Sequence, residues 1–128
     1  MKSARFLSLL AIVSVAAPVQ AQPIRPFSIA ALRSAQAANK PVLVDAFASW
    51  CPTCRAQAPV LDALSTDPHY RDLVILRLDY DKQASEKKVL GITKQSTLIS
   101  YKGSREVGRI VGITDARQLK AFAAAPLR

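Results

Sequence analysis

The sequence predicts one α/β domain in which a mixed β-sheet carries helices on both faces. The chain has 128 residues, half of them hydrophobic, which is enough for one domain with its own core. Apolar runs typical of strands alternate with helical patterns, and early strands joined through helices are expected to run parallel, with right-handed crossovers. The last two predicted strands are joined by a tight turn at Lys102-Gly103-Ser104 and are therefore expected to be antiparallel.

The predicted elements follow the order α-β-α-β-α-β-β-α after an extended lead-in, residues 22–27, which contains two prolines. Ser28 is placed to cap the first helix, and Thr114 is placed to cap the last. The first strand is apolar on both faces, as expected of a central strand. The predicted helices are 28–39, 52–65, 83–90 and 114–124, and the predicted strands are 42–47, 73–78, 97–101 and 106–111.

The first 21 residues have the features of a secretory signal peptide. Lys2 and Arg5 make a positive start, residues 6–17 are apolar, and Val19-Gln20-Ala21 offers a cleavage site after Ala21. The alternative is a membrane anchor, but the apolar stretch of about 12 residues is shorter than the roughly 20 that a transmembrane helix needs. No cysteine follows it, which disfavours a lipid anchor. The prediction is export of residues 22–128 to an oxidising compartment, the bacterial periplasm.

The chain is basic, with a formal net charge of +9. Without Lys2 and Arg5, 16 basic and 9 acidic residues leave a net charge of +7. The basic residues are scattered and form no cluster interleaved with aromatic residues, so no nucleic-acid partner is predicted. A solvated basic surface is the simplest interpretation, although the charge could also favour acidic partners or an anionic membrane surface.

The only two cysteines lie three positions apart in Trp50-Cys51-Pro52-Thr53-Cys54, at the start of the second predicted helix. Pro52 suits the first helical position, where no N–H is needed. A helix N-terminus stabilises a thiolate through its unpaired N–H groups and its dipole. This arrangement is typical of thiol–disulfide exchange. Cys51 is the predicted nucleophile, and Cys54, predicted to be more buried, would resolve the mixed disulfide.

Two other interpretations of the cysteine pair are weaker. A structural disulfide would close a four-residue loop and stabilise the fold by only about 2 kcal/mol on the chain-entropy model. A zinc site needs three or four ligands. The chain has no third cysteine, and its only histidine, His69, lies beyond a proline-containing break and is interpreted as a loop residue.

These residues and this order of elements resemble the thioredoxin family over about residues 27–127. The matching features are Asp45 six residues before Cys51, the Trp50-Cys51-x-x-Cys54 motif, the basic Arg55, Pro59 within the helix, and the segments 91–92, 97–99 and 111–112. The resemblance implies a thioredoxin-like fold and a protein-disulfide oxidoreductase that needs no cofactor beyond its redox-active disulfide, Cys51–Cys54. Two departures are Pro52-Thr53 in place of the usual Gly-Pro, and Ser96 at the position of the family's cis-proline.

The resemblance also implies roles for residues around the cysteines. Asp45 would accept the proton of Cys54; the alternative is a strand-end aspartate that faces water. Trp50 would flank the thiols, unless it only packs. Arg77 falls near a position where the family carries a lysine close to the buried aspartate, although a surface arginine is the simpler interpretation. The substrate groove implied by the resemblance consists of Trp50, Pro52, Thr53, Gln95, Ser96 and Gly112.

Ser96 is the departure with the largest expected consequence. A cis bond before serine costs about 3–4 kcal/mol, against under about 1 kcal/mol before proline. The sequence therefore predicts a trans bond or a strained loop, either of which could reposition Gln95, whose backbone would pair with substrate, and weaken docking. The Ser96 hydroxyl could instead donate a hydrogen bond to the Cys51 thiolate.

Three functions are compatible with the sequence. An exported reductase is favoured because the domain carries no inserted helical domain, which exported oxidases usually have. An oxidase or isomerase draws support from Pro52, and a partner-binding module without turnover draws support from Ser96. The predicted partners are a disulfide-containing protein substrate and a dithiol electron-transfer protein at the membrane, and the chain is predicted to be a monomer.

Overall fold

The computed structural model describes residues 14–16 and 22–128, so the predicted signal peptide lies largely outside the described residues. No helix among the described residues is both long enough and apolar enough to cross a membrane. Two short 3₁₀ helices, Pro68–Tyr70 and Ala125–Leu127, accompany the main elements. The main elements are β1 Arg25–Pro26, α1 Ile29–Ala37, β2 Pro41–Phe47, α2 Pro52–Thr66, β3 Val74–Asp79, α3 Ala84–Leu90, β4 Thr97–Lys102, β5 Arg105–Val111 and α4 Ala116–Ala124.

The strands form one mixed sheet in the order β1-β3-β2-β4-β5, with the apolar β2 in the centre as predicted. β2 and β3 are parallel, and β4 and β5 are antiparallel, which confirms both expectations. The parallel rule does not extend to β4, which also follows a helix but runs antiparallel to β2. The chain leaves β3 and re-enters the sheet in β4 from the same end, so the loop before β4 lies at the end of the sheet where β2 and β3 finish.

The lead-in is extended as predicted, and part of it is a fifth strand that was not predicted. In β1, Arg25 and Pro26 pair in parallel with Leu76 and Arg77 of β3. Phe27 N–H then donates to the Arg77 carbonyl at 2.8 Å. Pro26 is tolerated because β1 is an edge strand, where one side of the backbone needs no ladder partner.

Apolar side chains fill both faces of the sheet, which confirms the prediction of helices on both sides. Because side chains alternate along a strand, Asp45, between Val44 and Ala46, points to the face of α2 rather than that of α1. The face of α1 carries Phe27, Leu32, Ala35, Val42, Val44, Ala46, Val74, Leu76, Leu78, Ile92, Ile99 and Tyr101. The face of α2 and α4 carries Leu43, Leu61, Leu64, Tyr70, Leu73, Ile75, Leu98, Leu119 and Ala123.

Side-chain caps fix where two of the helices begin. Ser28 Oγ accepts a hydrogen bond from Ala31 N–H at 3.0 Å, which confirms the predicted cap of α1. The predicted cap of α4 is wrong by one residue. Asp115, not Thr114, is the N-cap, and its carboxylate accepts a hydrogen bond from Gln118 N–H at 2.9 Å. Aspartate ranks above threonine at this position, and its carboxylate also favours the positive end of the helix dipole.

Gly108 of β5 allows close contact between the sheet and α4. A Cβ at this position would lie 2.9 Å from Phe122 Cε2 and 3.3 Å from Ser100 Oγ. We expect Gly108→Ala to reduce the free energy of unfolding by about 1–3 kcal/mol, because the packed ring must shift. Urea unfolding would measure this. In a Phe122→Leu background the same substitution should cost less, and an equal cost in both backgrounds would exclude the clash as its cause.

Candidate functional site

Cys51 lies at the N-terminus of α2, as predicted. It is the N-cap residue, with φ −82° and ψ 113°, and Pro52 occupies the first turn. Its sulfur accepts a hydrogen bond from Cys54 N–H at 3.0 Å, so it takes the place that a serine or aspartate oxygen fills in other helices. The N–H of Cys54 in the first turn therefore points at the sulfur that would carry negative charge.

The two cysteines are both free thiols and both buried. The prediction that Cys54 is the more buried of the two is wrong, because each is only 1% exposed. Cys51 is turned inward by its capping bond to Cys54 N–H, and the pair packs with Ala48 against Phe47 and Tyr80. Very little of Cys51 is therefore exposed for contact with a substrate.

The Cys54 thiol is held in its protonated form. Its sulfur donates a hydrogen bond to the Ala46 carbonyl at 3.8 Å. The pKa of Cys54 is raised to about 11, mainly by burial and also by the hydrogen bond with Cys51, and backbone hydrogen bonds from Ala48 and Ser96 oppose this rise only in part. At neutral pH this group must lose a proton before it can act as a nucleophile.

Asp45 is a buried carboxyl group in the central strand. It is 1% exposed and pairs in register with Arg77, whose Nε donates to Asp45 Oδ2 at 2.8 Å. The other oxygen, Oδ1, has no hydrogen-bond partner within the described part of the chain. Burial raises the pKa of Asp45, and the attraction of Arg77 offsets this only in part. The interpretations of Asp45 as a water-facing residue and of Arg77 as a plain surface residue are both wrong.

Arg77 connects this carboxyl group to solvent. Its guanidinium lies 4.7 Å from the centre of the Phe47 ring and 3.9 Å from a carboxylate oxygen of Asp62 on α2. These three residues help to line a cavity of 760 Å³ between the lead-in and α2, and neither cysteine lines it. Solvent thus reaches Arg77 by a route separate from the covered thiols, while Asp45 itself stays buried.

Trp50 is fixed in an exposed position beside the thiols. It is 53% exposed, so it does not serve only to pack the core. Its Nε1 donates to both carboxylate oxygens of Asp81, at 3.1 and 2.9 Å, and its ring meets that of Tyr80 edge-on at 6.5 Å. Tyr80 is held in turn by its hydroxyl bond to the Thr93 carbonyl and by Lys87 over its ring. Sequence reasoning missed Asp81 and Tyr80, since only the fold brings them to Trp50.

Ser96 adopts the strained conformation that the sequence predicts. Its φ is +58°, in the left-handed region, and the described residues contain no cis peptide bond. Its hydroxyl does not reach Cys51, contrary to the second expectation, because it donates instead to the carbonyl of Gln95 at 2.6 Å. The Ser96 N–H donates to the Ala46 carbonyl at 2.9 Å, and the Ser96 carbonyl accepts from Gly112 N–H at 3.1 Å.

The structure brings the residues of the predicted groove to one end of the sheet. The loop before β4 meets β2 through Ser96 and Ala46, and it meets the end of β5 through Ser96 and Gly112. Gln95 and Thr53 are half-buried, and Pro52 is exposed on the first turn of α2. The residues of the predicted groove thus share one end of the sheet, with Ser96 buried among them.

Gln57 is a further residue of the site that sequence reasoning missed. It is fully buried, and its Nε2 donates to the Ile113 carbonyl at 2.9 Å and to the Ser96 carbonyl at 3.4 Å. It thus ties α2 to both loops of the groove. The available signal was a polar residue on the buried stripe of α2, three positions after Cys54 and four before Leu61.

Replacing Gln57 with leucine is expected to reduce the free energy of unfolding by about 1–3 kcal/mol, because the Ile113 carbonyl loses the Gln57 donor and the Ser96 carbonyl keeps only its bond from Gly112 N–H. Gln118→Leu, on the exposed side of α4, is the matched control and should change it by no more than about 0.5 kcal/mol. Chemical unfolding of both variants measures the difference. Equal effects would show that the buried hydrogen bonds contribute nothing.

Within the described ranges, no group of three or more His, Cys, Asp and Glu side chains is placed to hold a metal ion. The chemistry that the site itself offers is that of two thiols, one at a helix N-terminus and one protonated and buried. A buried carboxyl group lies on the strand beside them. This set can exchange thiols with a disulfide and move one proton.

Comparison with known proteins identifies similar chains. The family model named thioredoxin matches residues 30–125. The chain is 37% identical over 83 residues to the thioredoxin of Alicyclobacillus acidocaldarius subsp. acidocaldarius, covering 65% of this chain and 78% of that protein. It is 41% identical over 78 residues to the thioredoxin of Chlamydia muridarum, covering 61% and 74%. The crystal structure of Trxlp from Edwardsiella tarda EIB202 superposes with a TM-score of 0.76 at 39% identity, covering 78% of this chain and 97% of that chain.

Proposed function

The chain belongs to the thioredoxin family, and from this premise we propose that it is an exported reductase of protein disulfides. Membership supports the coarser statement directly: the protein is a thiol–disulfide oxidoreductase with Cys51 and Cys54 as its redox pair. The observation that carries the proposal is the capping bond from Cys54 N–H to the Cys51 sulfur at 3.0 Å. That bond places one thiol at the helix N-terminus and the other within reach of it.

The proposed reaction has two exchange steps. The Cys51 thiolate attacks one sulfur of the substrate disulfide, which forms a mixed disulfide and releases the other substrate sulfur as a thiolate that takes up a proton. Cys54 then loses its proton and attacks the Cys51 sulfur, which releases the second substrate thiol. The substrate gains two electrons and two protons, and the pair becomes the disulfide Cys51–Cys54. No cofactor beyond this disulfide is needed.

Asp45 is the proposed acceptor of the Cys54 proton. It adjoins Ala46, whose carbonyl binds the Cys54 thiol, and its Oδ1 has no protein partner among the described residues. Burial raises the pKa of Asp45, which brings it nearer to neutrality, where a general base is most effective. We propose that the proton passes from Cys54 to Asp45 within the buried site, since each of the two residues is only 1% exposed.

The groove is the proposed docking surface for a substrate segment. Trp50 offers an exposed aromatic face that Asp81 holds in place. Gln95 would pair with the substrate backbone, in a position fixed by the Ser96 hydroxyl. The complete proposed groove comprises Trp50, Pro52, Thr53, Gln95, Ser96 and Gly112.

Reduction is the proposed direction of exchange. A strong oxidant needs a reduced form that is stabilised, above all as a thiolate. Burial instead keeps Cys54 protonated, since it raises the pKa of that thiol to about 11, so a Cys54 thiolate does not stabilise the reduced form. The alternative is an oxidase, which Pro52 after the first cysteine favours.

Turnover with a small disulfide-bonded protein and dithiothreitol tests the proposal. Catalytic amounts of the protein should accelerate reduction well above the rate with dithiothreitol alone. No acceleration, together with stable binding of the disulfide protein, would favour a partner-binding module instead of an enzyme.

Export and partners complete the proposal. Residues 1–21 direct the chain to the periplasm, where a dithiol protein of the membrane reduces the Cys51–Cys54 disulfide after each turnover and the chain acts as a monomer. Mass spectrometry of the exported fraction should find a protein that begins at Gln22. Protein that keeps residues 1–21 and stays inside the cell would contradict export.

A further inference from the structure

The carbonyl oxygen of Ala46 joins two groups of the site. The Cys54 thiol donates to it at 3.8 Å, and Ser96 N–H donates to it at 2.9 Å. All three residues are buried, with exposures of 0% for Ala46, 1% for Cys54 and 5% for Ser96. The N–H of Ser96 and the Cys54 thiol therefore share one acceptor, the Ala46 carbonyl oxygen, in a place that bulk water does not reach.

Loss of the Cys54 proton changes the hydrogen bonds that the Cys54 sulfur can make. The bond from the thiol to the Ala46 carbonyl disappears, and a negative sulfur then faces a carbonyl oxygen. A buried anion is costly unless donors turn to it. The donors at hand are backbone groups of Ala48 and Ser96, and hydrogen bonding from both already lowers the pKa of Cys54 against the effect of burial.

We propose that the main-chain N–H of Ser96 is a shared donor, which binds the Ala46 carbonyl while Cys54 is a thiol and turns to the Cys54 sulfur when its proton leaves. This inference deepens the proposed function and rests on it, because the resolving attack of Cys54 is the step that would use the donor. Ser96 would then act through its backbone, and its hydroxyl would only hold the loop. A proline at this position has no N–H and could not act in this way.

The conformation of Ser96 supports this role. Its φ of +58° is unfavourable for a residue with a side chain, so the surrounding contacts must hold it there. The hydroxyl is bound to the Gln95 carbonyl, and the Ser96 carbonyl is bound by Gly112 N–H and Gln57 Nε2. The proposed shift of the N–H from one acceptor to the other would be a rotation of the Gln95–Ser96 peptide between these anchors.

Other titratable groups near Cys54 must be separated from this effect. Cys51 faces it from the start of α2, and Tyr80 packs against the same cluster from the segment after β3. Asp45 and Arg77 form their ion pair on β2 and β3. A Cys51→Ser variant removes the closest of these groups and leaves Cys54 as the only thiol.

Nuclear magnetic resonance of the Cys51→Ser variant tests the proposal directly. Carbon-detected spectra, which tolerate high pH, would follow the Cys54 Cβ and the Ser96 nitrogen from pH 7 to 12. We expect both signals to move with one midpoint, and the Ser96 nitrogen to move more than that of its neighbour Thr97. A Ser96 signal that stays still while Cys54 ionises would overturn the proposal.

Substitutions at Ser96 in the same Cys51→Ser background provide a second test. Ser96→Pro removes the N–H, and because proline cannot adopt the φ of +58° it also changes the loop; it should raise the Cys54 midpoint by about one pH unit, a tenfold loss of thiolate at a given pH. Ser96→Ala keeps the N–H and is the matched control, expected to leave the midpoint unchanged. An unchanged midpoint in Ser96→Pro, or an equal rise in Ser96→Ala, would overturn the proposal.

These measurements need no turnover, so they separate the two proposals. If the wild-type protein fails to reduce disulfides but the Ser96 signal follows Cys54, the proposed function is wrong and the shared donor stands. If the protein is an active reductase but the Ser96 signal does not move, the shared donor is wrong and the proposed function stands.

Discussion

Replacing Cys51 with serine is expected to abolish catalysed disulfide reduction and leave only the uncatalysed rate. The attacking species is a thiolate, and a serine hydroxyl does not ionise at neutral pH to replace it. Cys54 cannot take over the attack, because burial raises its pKa to about 11 and it is therefore almost entirely a thiol at neutral pH. The fold should persist, since serine is itself a good N-cap residue. Reduction of a small disulfide-bonded protein by dithiothreitol measures the loss.

Cys54→Ser is the matched control for this variant. It keeps the Cys51 nucleophile but removes the resolving thiol, so turnover should also stop while a mixed disulfide between Cys51 and the substrate accumulates. Mass spectrometry without reducing agent would detect that adduct. Catalysis that survives in Cys51→Ser, or an adduct that forms equally in both variants, would contradict the assigned roles.

Replacing Asp45 with asparagine is expected to make the protein more stable at neutral pH. Burial raises the pKa of Asp45, so the folded state binds its proton more tightly than the unfolded state does. The contribution of this group to stability is therefore complete below the unfolded pKa, about 3.9, and is lost as the pH rises towards the folded pKa, by at most about 1.4 kcal/mol per pH unit. The asparagine variant lacks this loss and should be more stable at pH 7 by about 1–3 kcal/mol.

The same substitution is expected to slow catalysis. If Asp45 accepts the Cys54 proton, its loss should slow the resolving step by about 100-fold or more, the usual range for a general base. Rapid-mixing kinetics would show longer persistence of the mixed disulfide. Higher stability with lower activity is the combined result that distinguishes a functional carboxyl group from a structural one.

Asp62→Asn is the control for Asp45→Asn. Asp62 is the other carboxylate near Arg77, at 3.9 Å, but its side chain is 62% exposed. Its replacement should change the unfolding free energy by no more than about 0.5 kcal/mol and leave the resolving step unaltered. Urea unfolding between pH 4 and pH 8 would compare the two variants. A difference between Asp45→Asn and wild type that does not grow with pH would contradict the effect of the buried charge.

Features encoded in short stretches of sequence were predicted well. The cap at Ser28, the apolar run of β2 and the turn at residues 102–104 each depend on neighbouring residues. The position of Cys51 at the start of α2 follows from the apolar run before it and from Pro52 after it. These local signals were enough for the mixed sheet with helices on both faces and for the placement of the redox pair.

Features that depend on distant residues were not predictable in the same way. The ion pair of Asp45 and Arg77 requires the register of β2 and β3, which the sequence does not display. The hydroxyl of Ser96 was expected at Cys51, but a backbone angle of +58° turns it to Gln95 instead. Equal burial of the two cysteines follows from the inward rotation of Cys51, which depends on its bond to Cys54 N–H.

The reduction potential of the Cys51–Cys54 pair is the most direct test of the proposal that this oxidoreductase acts as a reductase. The protein would be equilibrated in dithiothreitol buffers of known potential, and the remaining thiols would be trapped by alkylation and counted by mass spectrometry. We expect a potential of about −270 mV, typical of a pair that donates electrons to protein disulfides. A value of about −120 mV would contradict this, since a pair of that potential oxidises dithiols instead.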